Sequence, residues 1–146
     1  MPSGFECIRI LTKMKIKKTI ENHFGLTYIA TGKETNGKYF LSETVIPVGD
    51  SGPPPHIHAN EDEGFFVQEG ELTLIVNDNE VKLKSGEFLN VEKGEKHTWR
   101  NDADSDARLI ITFSPAGIEN MFIELENDMQ NIVEIGKRYG TEFEVG

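Results

Sequence analysis

Two histidines, His56 and His58, sit two residues apart in the segment DSGPPPHIHANEDEGFFVQEG, which runs from Asp50 to Gly70. In extended backbone the side chains at i and i+2 leave the same face, so both imidazoles aim at one point. Acids follow at Glu61, Asp62 and Glu63, and a third histidine, His97, opens the polar, aromatic segment HTWRN. Three imidazoles and one carboxylate are borderline ligands, suited to iron, nickel, zinc, copper or manganese.

Strand parity bears on which acid joins them. Along the run after the turn, Glu63, Phe65 and Val67 share one face, and Gly64, Phe66 and Gln68 share the other. Both faces carry apolar residues, so parity leans toward Glu63 without deciding. A turn over residues 59–62 must reset the face after His58, and Glu61 and Asp62 fit a solvated turn.

The elements that would position these residues are short strands. Runs at 7–12, 26–31 and 38–46 are rich in β-branched and aromatic residues, with Gly32 and Asn36-Gly37 between them, the latter a hairpin signal. Residues 48–55 hold two glycines and three prolines, a stiff loop leading into a strand at His56. Further strands are expected at 63–69, 71–76, 80–84, 87–91, 96–100 and 107–113, with turns at 77–79, 85–86 and 93–94. Many short strands at regular spacing mean an antiparallel sandwich or barrel. Ser114-Pro115 reads as a helix start, and apolar residues at helical spacing follow in two runs, the second beginning near Asn127-Asp128 with Gly140 as its C-cap. These runs predict a helical tail packed on the barrel or on a partner subunit.

Bulk properties bound the function. The 146 residues suit one domain. Fifteen basic and 25 acidic residues give a net charge of −10, which argues against nucleic acid or an anionic membrane as partner. The run KMKIKK from Lys13 to Lys18 alternates with apolar residues and reads as an edge strand. A single cysteine, Cys7, makes no internal disulfide, and no apolar run resembles a signal peptide or a membrane span, so a cytoplasmic protein is expected.

The sequence resembles the cupins on two motifs. The first is met by His56-x-His58, four residues, Glu63, six residues and Gly70, with its leading glycine displaced: Asp50 takes that place and Gly49 precedes it. The second is met by Gly86, Gly94, His97 and Asn101, with Glu92 where the family has proline. The resemblance implies an all-β fold, a jelly-roll (double-stranded β-helix) antiparallel barrel with a short C-terminal helical tail. It divides the single domain into N-terminal strands at 1–37, a barrel core at about 38–114 and a tail at 115–146. It also selects Glu63, and implies His56, His58, Glu63 and His97 as ligands to one divalent iron, nickel, manganese or zinc, with coordination positions left open.

The segments PPPH-x-H, EGFFVQEGE, SPAGIENMF and RYGTEF are similar to single-barrel cupins of the quercetin dioxygenase-like type. That likeness implies a metal-dependent dioxygenase acting on a small enol or aromatic molecule, with Glu63 as ligand and general base. A non-redox isomerase or lyase and a non-catalytic small-molecule-binding cupin stay open beside it. Phe40, Phe65, Val67, Leu74, Trp99 and Phe113 are the expected pocket lining, and Trp99 shares parity with His97. A homodimer is expected, as cupins of this size commonly pair through sheet edges.

Overall fold

The computed structural model describes residues 15–17 and 20–146. The expected strand at 7–12 and Cys7 lie outside them. Of the basic run from Lys13 to Lys18, residues 15–17 are described, and they form no strand.

Eleven strands are found among the described residues: β1 (Glu21–His23), β2 (Leu26–Ala30), β3 (Phe40–Ile46), β4 (His56–His58), β5 (Asp62–Glu69), β6 (Glu71–Val76), β7 (Asn79–Lys84), β8 (Phe88–Val91), β9 (His97–Arg100), β10 (Ala107–Ser114) and β11 (Thr141–Phe143). They make a six-stranded sheet in the order β1-β2-β3-β10-β5-β8 and a five-stranded sheet in the order β11-β4-β9-β6-β7, all antiparallel. This is the jelly roll that the motifs imply. Among the described residues the two sheets are not zipped by hydrogen bonds into a closed barrel: each keeps its own edge strands and the core lies between them.

Period-two patterning decides what faces inward. Along β10, Ala107, Leu109, Ile111 and Phe113 are buried while Arg108 and Ser114 are exposed. Along β5, Glu63, Phe65 and Val67 are buried while Phe66 and Gln68 are exposed, the parity read from sequence. The inward hydroxyl of Ser42 donates to the Ile111 carbonyl at 2.9 Å, so this buried polar group is satisfied.

Two local expectations fail for identifiable reasons. Asn36-Gly37 does not make a two-residue hairpin. A one-turn helix α1 (Gly32–Thr35) precedes it, started by a capping box between Thr31 and Glu34, and Asn36 and Gly37 end that helix at φ 56° and 77°. The tail helix does not begin at Ser114-Pro115, because Ser114 is still the last residue of β10. Helix α2 (Glu119–Asn127) starts four residues later, where the Glu119 carboxylate accepts the Gly117 and Gly32 amides at 2.5 and 2.8 Å. A single 3₁₀ turn then leads into α3 (Ile132–Arg138), and Gly140 at φ 75° turns the chain into β11. Met121, Leu125 and Ile135 bury these helices against the sheets. None of the described helices is long and apolar enough to cross a membrane.

Candidate metal centre

His56, His58, Glu63 and His97 come together at one end of the jelly roll, each 5% exposed or less. The short strand β4 aims both of its histidines inward, β9 pairs His97 opposite His56, and β5 supplies Glu63. One ligand atom from each lies within 4.8 Å of the others. Ligands about 2.1 Å from an ion are roughly 3 Å apart when adjacent and 4 Å when opposite, so side-chain shifts of about an ångström close the set around one ion.

Each imidazole is held at its outer nitrogen. Nδ1 of His56 lies 2.9 Å from the Pro54 carbonyl, that of His58 lies 2.8 Å from Thr141 Oγ1, and that of His97 lies 3.1 Å from the Glu95 carbonyl. Carbonyls only accept, so His56 and His97 carry their proton on Nδ1 and turn Nε2 inward, the arrangement a metal-binding histidine requires. Nε2 of His58 and of His97 sit 3.1 and 2.8 Å from the same Glu63 oxygen. Two ring nitrogens and a carboxylate converging on one buried point require bridging protons or a cation. The donor set fits a divalent metal.

The electrostatics agree. Burial works to raise the Glu63 carboxyl, but hydrogen bonds from His58 and His97 outweigh it and hold the pKa at about 2. Burial, aided by the nearby His97, lowers His56 to about 4 and keeps it neutral and able to ligate at pH 7. Burial opposes protonation of His97 too, yet the hydrogen bond to Glu63 prevails and raises it.

The turn before His97 explains how Glu92 stands in for proline. The Glu92 amide, which a proline would lack, is taken at 2.8 Å by the Glu95 carboxylate, and that carboxylate also accepts from Asn77 at 3.0 Å. Gly94 adopts φ 87°, and its amide donates to the His58 carbonyl at 2.9 Å, tying this turn to the strand of two histidines. Asn101 is structural: its side chain bonds Ile46, Ser105 and Ala103 backbone groups.

A cavity of about 440 Å³ opens over the cluster, with His56, His58 and Glu63 on its wall. Of the residues expected to line it, Trp99 and Phe113 do. Phe40, Phe65, Val67 and Leu74 are fully buried in the core and are not on its wall. Phe65 and Val67 face the same way as Glu63 but lie one and two pleats further along β5, about 7 Å per pair of residues. Phe65 packs edge-on against His97 and Trp99 at 6.1 and 5.9 Å.

Three contributors escaped the sequence reading. Thr141 and Phe143 arrive on β11, which pairs with β4 so that Thr141 faces His58 and Phe143 faces His56. Glu61 is no part of a solvated turn: it is 6% exposed, and its Oε1 has no hydrogen-bond partner among the described residues. The bend spans only residues 59–60, so Glu61 already shares the inward parity of Glu63. Burial pushes its carboxyl up.

Two antiparallel sheets with three histidines and a glutamate buried at one end define a jelly-roll protein with a cluster fit for a metal. Residues 42–113 match the cupin domain family, and the chain belongs to the cupins. It is 31% identical over 75 residues to a quercetin 2,3-dioxygenase of Bacillus subtilis, covering 51% of this chain and 22% of that protein. It is 33% identical over 76 residues to the tetracenomycin polyketide synthase protein TcmJ of Streptomyces glaucescens, covering 52% and 50%. The match thus spans half or less of these relatives' own lengths. Among solved structures, a predicted oxalate decarboxylase from Thermotoga maritima superposes with a TM-score of 0.58 at 21% identity, over 62% of this chain and 78% of that one, a likeness of fold.

Proposed function

We propose that the protein is a metal-dependent enzyme of the dioxygenase type, acting on a small enol or aromatic molecule. In this reading His56, His58, Glu63 and His97 hold one divalent iron, nickel, manganese or zinc. The observation that carries it is the convergence of the four side chains beneath an apolar cavity of about 440 Å³, with His56, His58 and Glu63 on its wall, a size that suits a small organic ligand. The partial likeness to a quercetin 2,3-dioxygenase supports the same class.

A redox-active divalent metal supplies the means of bringing an enol and dioxygen together. The chain's own groups do the rest. The anchors on Nδ1 fix the three rings before any ligand arrives. Glu63 is the candidate general base: hydrogen bonds from His58 and His97 outweigh burial and keep its carboxyl ionised, so it can accept a proton from a substrate hydroxyl within reach. Trp99, Phe113 and Phe143 exclude water from the cavity wall and offer ring faces to a flat substrate.

The test is elemental analysis of untagged protein, followed by oxygen consumption with a panel of enols and catechols. About one equivalent of iron, nickel or manganese with oxygen uptake supports the proposal. Zinc alone without uptake overturns it in favour of an isomerase or lyase, and tight ligand binding without turnover in favour of a binding protein.

A further inference from the structure

The turn joining β1 to β2 consists of Phe24 and Gly25, at φ 56° and 77°. A two-residue turn with both centres in the left-handed region favours asparagine, aspartate or glycine, and a phenylalanine there meets a steric penalty. The surroundings hold it in place. The Phe24 amide donates to Glu126 Oε2 at 3.0 Å, and His23 Nδ1 lies 3.1 Å from the same oxygen, so the turn is pinned to α2. The Phe24 ring stacks on Phe122 at 6.1 Å and 22°, lines the cavity over the metal cluster, and is still 39% exposed. Glycine or asparagine would serve the turn better, so the ring answers to something other than local stability.

The charge on the cavity wall narrows what that is. Among the described residues no lysine or arginine lines the cavity, while Asp50 and Glu63 do. Apart from an ion held by the cluster itself, a carboxylate or phosphate entering it meets no basic side chain among the described residues. An uncharged flat ring meets Phe24, Phe122, Trp99 and Phe143.

We infer that Phe24 is a specificity-determining residue, an aromatic wall at the cavity mouth that stacks on a flat, uncharged substrate ring. The inference rests on reading the cavity as a substrate site. It is tested by calorimetric titration of the purified protein, its metal first removed with a chelator so that no ion ligates a carboxylate, with 2-naphthol and with 2-naphthoate, one bicyclic frame without and with a carboxylate. The wild type binds 2-naphthol at least about tenfold more tightly, and Phe24→Gly weakens 2-naphthol by about tenfold. Phe24→Gly also melts at or above the wild-type temperature, because glycine relieves the turn, and its metal content is unchanged. Phe24→Tyr retains binding. Unchanged naphthol affinity in Phe24→Gly, preference for the naphthoate, or no naphthol binding by the wild type would each overturn the inference. Metal content and oxygen uptake are read separately, so the enzyme reading can stand when this one falls, and the reverse.

Discussion

Thr141→Val asks whether the outer contacts of the histidines govern metal binding. Thr141 is 1% exposed and its hydroxyl lies 2.8 Å from His58 Nδ1. Valine matches threonine in shape, so β11 keeps its packing while His58 loses its partner. Two costs follow. A buried ring nitrogen left unpaired destabilises the fold by about 1–3 kcal/mol. The freed imidazole can also place its proton on Nε2, which competes with the metal, and loss of such a contact typically weakens metal binding by about 10–100-fold. Affinity for Zn²⁺ or Co²⁺ is measured by competition with a chromophoric chelator, and stability by denaturant unfolding of the metal-free protein. Ser42→Ala is the control: it removes a buried hydroxyl bonded to Ile111 and lowers stability without altering affinity. Reduced stability in Thr141→Val with affinity within about threefold of wild type would refute the reasoning, since His58 would then not need its anchor to bind.

Three further outcomes are expected. His58→Ala loses most of its bound metal yet keeps a native β-sheet circular dichroism spectrum, because the sheets are built from residues elsewhere; stoichiometric metal in the variant would place the site elsewhere. Glu61→Gln is more stable than wild type by about 1 kcal/mol at pH 8 and flattens the acid side of the stability profile. The sign follows from the raised carboxyl: stability is fully present below the unfolded pKa and is lost as pH rises through the higher folded value, so a variant no more stable than wild type at pH 8 sinks the argument. Sedimentation velocity at micromolar concentration gives a dimer, with the exposed Phe88 on edge strand β8 and its cross-strand neighbour Phe66 as one apolar surface; a monomer counts against it.

The cluster was legible because its geometry is local. His56 and His58 share a face by period two, and Glu63 shares one with Phe65 and Val67, so spacing and motif together reach all four residues. Depth along a strand is invisible to parity, which is why Phe65 and Val67 read as lining and lie in the core. Thr141 and Phe143 were beyond reach for another reason. A three-residue strand with no repeated residue type carries too little pattern to be told from a loop, and its partner lies 83 residues away. The capping box at Thr31 was present in the sequence as TGKE, but the stronger turn signal of Asn36-Gly37 masked it.

The late position of β11 has a consequence for the order in which the centre is completed. All four candidate ligands lie between residues 56 and 97, but the hydroxyl that pairs with His58 comes 83 residues after that histidine. A chain whose last strand has not docked holds His58 without that contact, while the outer contacts of His56 and His97 come from residues two positions away on their own strands' approach. The final strand of the fold therefore finishes the candidate metal centre, and anything that frays β11 reaches His58 first.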